Sequence, residues 1–448
     1  MPDQPVPVRT KFFYGFGELA LSLTTESLNR FLMFFYSDTL RLSPTAVGLM
    51  ILLSKGWDAI TDPAMGYLSD TTRSRRGRRR PYVILGAVPM GVCYALLFWP
   101  PQVGDWALLW YMLELSIALY TCFTIYTVPY YAWGAELSRG YHERTSIVQI
   151  RALLGLFGGV AGAAVPMLIV ARYADPRTGF GIMAVTLGII IGGMALLPGI
   201  GVHDGGRDRL PSASLGHFIG GLGHTFANRE FRIIFTTFCL MTVANGIGTA
   251  IQLVVVKYRL LMVDRFPLFA LTFGISLALS FPLWLWLSRR IGKTGALQVG
   301  LILGVIAPFG WVVVQPGQAG AMVLFMIVAG AVSGSLTLAA SQAIDVVDVD
   351  ELRTGEQRAG AYFGIWAFGL KLATAIGQFF GGALLDAVGY APNVTQGAST
   401  LWWLVMIVGP LQSVVTLIGL LVFRRIRFDA SDIAEVQAAL DARRLEQA

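Results

Sequence analysis

From Lys55 to Pro81 the chain reads KGWDAITDPAMGYLSDTTRSRRGRRRP. The first half of this stretch lies inside a long apolar run, yet it carries Lys55, Asp58 and Asp62. The second half places six arginines in eight positions, Arg73 to Arg80. Carboxylates inside an apolar run need a cavity or a partner, and an arginine cluster at its end anchors a helix on one side of a bilayer. The whole chain agrees with that reading. Of its 448 residues 55% are hydrophobic and 14% charged, where soluble domains carry about 25% charged residues. Mean hydropathy is +0.63. The composition excludes a large soluble core and predicts an all-α polytopic membrane protein.

A membrane helix needs about 20 mostly apolar residues. Twelve such runs are expected, at 12–38, 45–69, 82–100, 106–133, 146–171, 179–202, 231–256, 267–288, 295–315, 319–344, 359–387 and 399–423. The polar stretch 203–230 separates six from six. The expected organisation is therefore a bundle over 1–202, a central cytoplasmic loop over 203–230, a second bundle over 231–424 and a cytoplasmic tail over 425–448. With both termini cytoplasmic, twenty-four Lys and Arg fall on the cytoplasmic side and six on the other. That asymmetry accounts for the +7 net charge as topology and not as nucleic-acid binding. The loop near 257–265 is the dissenting basic segment. Arg73, Arg75, Arg76 and Arg78 are read as the topological anchor and as part of a cytoplasmic gate. Cys93, Cys122 and Cys239 all lie in apolar runs and are read as small core residues, not as a disulfide or metal framework. No cleavable signal is expected before the first run.

Four basic residues remain inside the spans: Arg30, Lys55, Arg151 and Lys371. The acids there are Glu18, Glu26, Asp58, Asp62 and Glu114. Such residues line cavities or pair with one another. Asp58 and Asp62 are spaced i, i+4, so they share one helix face about 6 Å apart along the axis. Two carboxylates that close in low dielectric call for a cation or a proton between them. Thr61 and Thr124 could add neutral oxygens for Na⁺. Lys371, deep in the eleventh span, is the economical countercharge. Glu26 and Arg30 are another i, i+4 pair, with Ser22 one turn earlier on the same face. Both an internal ion pair and a substrate contact fit them. Arg151 is read either as pairing with a loop carboxylate or as facing the substrate.

These residues lie in motifs with a family likeness. WDAITDPAMGYLSDTTRSRRGRRRP (57–81) closely resembles the signature of the glycoside–pentoside–hexuronide:cation symporters, the melibiose-permease relatives within the major facilitator superfamily. YGFGELA (14–20), YTVPYYAWGAEL (126–137), DVVDVDELRTGEQRAGAYFG (345–364) and GYAPN (389–393) match the same family in the same order. The resemblance implies two six-helix bundles around a central cavity, working by alternating access. It implies that Asp58, Asp62 and Thr124 hold the cation, with Lys371 beside them. An Asn that favours Na⁺ in some members is Thr61 here. The acids that hold sugar hydroxyls in melibiose-type members align with Ser22 and Thr127, so both are lost. Glu26, Arg30, Tyr131 and Arg151 complete the substrate-facing candidates, and Arg30 suits an anionic group.

The function expected from the sequence is symport of a sugar or glycoside, an acidic sugar included, driven by Na⁺ or H⁺. A lysolipid or other amphiphile carrier on the same fold is the alternative. No cofactor is expected beyond the coupling cation. The expected partners are a small solute, a monovalent cation and the bilayer, with no nucleic acid and a monomeric protein. The expected location is a bacterial inner membrane. An enzyme is disfavoured, because HExxH and Gly-x-Ser-x-Gly motifs are missing and no histidine lies in the core of a span.

Overall fold

The structure is a computed structural model. It describes residues 6–202 apart from 73, 75, 76 and 139, residues 223–426 apart from 224 and 356–358, and positions 435, 436 and 439 of the tail. Most of the segment 203–230 and of the tail, and Arg73, Arg75 and Arg76 of the anchor, thus lie outside the described residues.

The described residues form twelve spans, labelled α1 to α12. They are α1 (Val8–Phe34, extended by a π-helical turn Phe35–Thr39), α2 (Pro44–Thr71), α3 (Arg80–Leu97), α4 (Asp105–Glu136), α5 (Tyr141–Val170), α6 (Pro176–Gly201) and α7 (Arg229–Val254, extended by Val255–Arg259). Spans α8 and α9 share the run Phe266–Ile306, which breaks at Gly292, where φ is +76°. Span α10 comprises Ala319–Ser333 and Thr337–Thr354, α11 is Ala359–Ala387, and α12 runs from Ala398 to Phe423 through a π turn at Ile407–Leu411. Nine helical runs are long and apolar enough to cross a bilayer by length and composition, and the longest, Val263–Val313, holds both α8 and α9. The spans outside those nine are α1 and α2, which carry most of the in-membrane charges.

In lipid every backbone polar group must be satisfied within the chain, which is why the runs become helices. Their starts follow ordinary capping chemistry. Asn228 accepts the N–H groups of Glu230 and Phe231, and Asp175 accepts those of Arg177 and Thr178. Both supply a side-chain oxygen to donors that the first turn leaves free.

The two halves use the same pairings. Spans α1 and α5 pack together in the first half, as α7 and α11 do in the second. Both pairs rest on close glycine contact. A Cβ on Gly158 would sit 2.3 Å from the Leu19 carbonyl oxygen, and one on Gly377 would sit 2.3 Å from that of Val243. Small residues let backbones approach where lipid offers no hydrophobic drive. Across the halves, α2 meets α11, α5 meets α8 and α1 meets α7.

The end of the molecule away from the arginine loop is bolted across the halves. Buried Asp38, at the end of α1, accepts hydrogen bonds from Lys257, Tyr258 and Tyr390, and Asn393 donates to its carbonyl. Asp386 of α11 accepts from the Ser43 hydroxyl at 2.8 Å and the Thr45 N–H at 2.9 Å, at the N-terminus of α2. At the arginine-loop end four ion pairs join residues of the same half. Arg78 and Arg79 pair with Glu136, Arg79 also with Asp70, and Lys293 with Asp345.

Candidate functional site

The i, i+4 spacing on α2 puts both carboxylates on the face that meets α4 and α11. The Thr124 hydroxyl of α4 lies 2.8 Å from Asp58 Oδ1 and 3.1 Å from Asp62 Oδ1, so one proton serves two acceptors. Lys371 Nζ of α11 closes the ring, 2.9 Å from Asp58 Oδ2 and 2.5 Å from Asp62 Oδ2. Asp58 is 4% exposed, while the side chains of Asp62 and Lys371 are 28% and 30% exposed. The ammonium supplies the positive charge that two adjacent carboxylates call for. It is also a bond between the halves.

Thr61 is placed differently. Its hydroxyl donates into its own helix, toward the carbonyls of Trp57 and Asp58 at 3.0 and 3.1 Å. A β-branched hydroxyl in a helix finds those carbonyls locally, so Thr61 is not turned to the carboxylates.

One turn beyond Asp58, Lys55 is buried without a carboxylate partner among the described residues. Its ammonium donates to Asn29 Oδ1 at 2.7 Å and Gln378 Oε1 at 2.8 Å. Gln378, 1% exposed, also donates to the Asn29 carbonyl at 3.1 Å. This second bridge between α2, α1 and α11 escapes sequence reasoning on its partner side, because an Asn or Gln in a span carries no charge to draw notice.

The substrate-facing candidates form two groups on α1. Arg30 Nε is 3.0 Å from Glu26 Oε2, one turn away. Nearer the arginine loop, Arg151 Nε is 3.6 Å from Glu18 Oε2, and the Tyr131 hydroxyl donates to Glu18 Oε1 at 3.1 Å. The guanidinium of Arg151 also lies over the Tyr131 ring at 5.0 Å. The pairing of Arg151 with a loop carboxylate is therefore corrected: its partner is Glu18, inside α1, which α1–α5 packing brings opposite. Ser22 faces the α5 glycine Gly155. Thr127 Oγ1 is buried without a hydrogen-bond partner among the described residues. Neither Ser22 nor Thr127 joins the carboxylate ring. Glu114 lies on the exposed face of α4, away from the site.

A cavity of about 410 Å³ opens between Arg30 and the second half. That volume lies in the range of small-molecule sites. Among the described residues, no cluster of His, Cys, Asp and Glu is suited to a transition metal.

Comparison with known proteins adds the following. Residues 13–430 match the family described as MFS/sugar transport protein. A putative glycoside/cation symporter of Escherichia coli, YagG, is 28% identical over 86% of this chain and 84% of its own length. The sodium-dependent lysophosphatidylcholine symporter 1-A of Danio rerio is 25% identical over 93% of this chain and 85% of its own. Among solved structures, the nucleoside transporter NupG superposes with a TM-score of 0.65 at 17% identity, covering 93% of this chain and 100% of that one. That last likeness concerns the fold alone.

Proposed function

Because the chain belongs to the MFS/sugar transport protein family, and is thus a multi-pass membrane transporter and not an enzyme, we propose that it carries a sugar or glycoside together with Na⁺ or H⁺ by alternating access. The observation that carries this reading is the ring of Asp58, Asp62, Thr124 and Lys371. Lys371 is a tethered cation bridging the halves. A free cation entering between the carboxylates displaces it and unfastens α2 from α11 at that level. Removing one partner from a buried ion pair costs about 3–5 kcal/mol. The displacement is therefore favourable only when another positive charge takes the site, which ties the movement to cation binding.

The cross-half bonds run from Asp62–Lys371 to the Asp38 and Asp386 networks at the far end. With the arginine loop on the cytoplasmic side, this supports a carrier closed outward. We place both termini and the 203–230 segment in the cytoplasm and the protein in a bacterial inner membrane, acting as a monomer. Arg78 and Arg79, held by Asp70 and Glu136, are the part of the arginine loop poised to bear on the opposite half when that side closes.

The test is uptake into vesicles loaded with the protein, over a panel of neutral sugars, uronates and lysolipids, with and without a Na⁺ or H⁺ gradient. Concentrative uptake that collapses when the gradient is dissipated supports symport. Equal, gradient-independent equilibration of every solute overturns it.

A further inference from the structure

The start of α4 reads DWALLWYMLEL, from Asp105 to Leu115. Trp106, Trp110 and Glu114 are spaced i, i+4, i+8, so they stack on one face of the helix. Thr121, seven residues past Glu114, stands about 20° round the helix from it. Its hydroxyl accepts the indole N–H of Trp57 of α2 at 3.0 Å. Trp57 belongs to an exposed row on α2 with Leu49, Leu53 and Ile60. A continuous exposed apolar row of this kind marks a membrane-facing surface. Glu114 therefore lies along the lipid side of the groove between α2 and α4. It is exposed, as are Trp106 at 71% and Trp110 at 48%. The two indoles meet edge to face, with ring centroids 6.0 Å apart. No hydrogen bond or ion pair among the described residues reaches Glu114, and the indole N–H groups of Trp106 and Trp110 have no acceptor among them.

A carboxylate facing lipid needs both a counter-charge and hydrogen-bond donors. Glu114 is nine residues into α4, about 13.5 Å along the axis from its start. That start is at the end away from the arginine loop. The Cα–Cβ bonds of a helix tilt toward its N-terminus, which brings the carboxylate up toward the level of Trp110. Tryptophans at a membrane surface sit at the level of the lipid headgroups.

We propose that Trp106, Trp110 and Glu114 form a binding site for a phospholipid whose headgroup carries a primary ammonium. The ammonium donates to the Glu114 carboxylate and lies against the Trp110 ring. The indoles, which only donate, give their N–H groups to the phosphate. A quaternary ammonium would bring the charge but no N–H, and the carboxylate would still lack a donor. A headgroup with net negative charge would face Glu114 with like charge. A second copy of the chain on a two-fold axis would present the same face, and so a second carboxylate in place of a counter-charge.

The test uses the purified full chain in detergent. It is offered phosphatidylethanolamine, its N-methyl and N,N-dimethyl derivatives, phosphatidylcholine and phosphatidylglycerol, all with the same acyl chains. Native mass spectrometry reads the lipid retained. Phosphatidylethanolamine is expected to bind about tenfold tighter than phosphatidylcholine or phosphatidylglycerol, the scale of hydrogen bonds to a charged group. The methylated lipids should fall between, because each methyl removes an N–H and leaves the charge. Glu114→Gln should erase the preference over phosphatidylcholine. Glu114→Leu, which suits a lipid face, should do the same and guards against a folding defect in the first variant. Trp110→Leu should weaken phosphatidylethanolamine and phosphatidylcholine alike. Equal retention of all five lipids, tightest retention of phosphatidylglycerol, or a preference that survives in both Glu114 variants overturns the proposal. Equal retention together with a dimer that Glu114→Leu dissolves would overturn it in favour of a second copy on this face.

Discussion

The two halves of the molecule share a packing plan and divide the chemistry unequally. In each, the first span of the bundle packs on the fifth through a glycine contact, Gly158 in one and Gly377 in the other. Yet the first half holds Glu18, Glu26, Arg30, Lys55, Asp58, Asp62 and Arg151 within its spans, and the second answers with Lys371 deep in α11. Packing in lipid asks for small residues and satisfied backbones, which both halves supply. A coupled carrier asks in addition that a charge on one half be bonded to the other in one state and released in the next. On the proposed reading, unequal chemistry on an equal frame provides that.

The comparison is broken most severely at Asp58. Asp58→Asn should lower gradient-driven accumulation by roughly 100-fold or more, the scale of losing a buried charged partner. Uptake in vesicles containing equal amounts of protein measures it.

The far-end bolt comes next. Asp38→Asn leaves Lys257 beside a neutral amide and weakens the bonds from Tyr258 and Tyr390, a loss of about 1.5–3 kcal/mol for hydrogen bonds to a charged group. A lower melting temperature and faster labelling of a cysteine placed at the far end of the cavity are expected. Unchanged labelling would sink the latch. Thr124→Val removes the hydroxyl donated to the two carboxylates, about 1.5–3 kcal/mol or roughly tenfold or more in apparent cation affinity. Thr61→Val should change that affinity by no more than about twofold, because the hydroxyl is bonded to its own helix and such changes are usually small. A larger effect would show that Thr61 turns toward the carboxylates during the cycle.

How much of this was legible in the sequence depended on charge. Asp58, Asp62, Lys371 and the Glu26–Arg30 pair stand out because a charge inside an apolar run has a large desolvation cost and therefore a reason. Helical spacing then supplied the face. What packing decides across helices stayed hidden. Arg151 finds Glu18 only because α1 lies on α5. Lys55 was visible, but its partners Asn29 and Gln378 are neutral and 349 residues apart. Asp38 and the GYAPN loop sit at span ends, where polar residues are ordinary, so the bolt they form left no mark. It also gives Lys257, in the dissenting basic loop, a structural reason to lie on that side.

Coupling, on the proposed reading, turns on Lys371 holding the place of the coupling cation. The direct measurement is a titration of purified protein with Na⁺, Li⁺ and acid, followed by thermal stability, for the natural chain, Asp58→Asn and Lys371→Met. Saturable stabilisation by one of these cations is expected in the natural chain and should vanish in Asp58→Asn. Lys371→Met should show it at lower cation concentration, since its tethered competitor is gone, while failing to accumulate solute. Weaker cation binding in Lys371→Met, or unaltered binding in Asp58→Asn, would contradict the account.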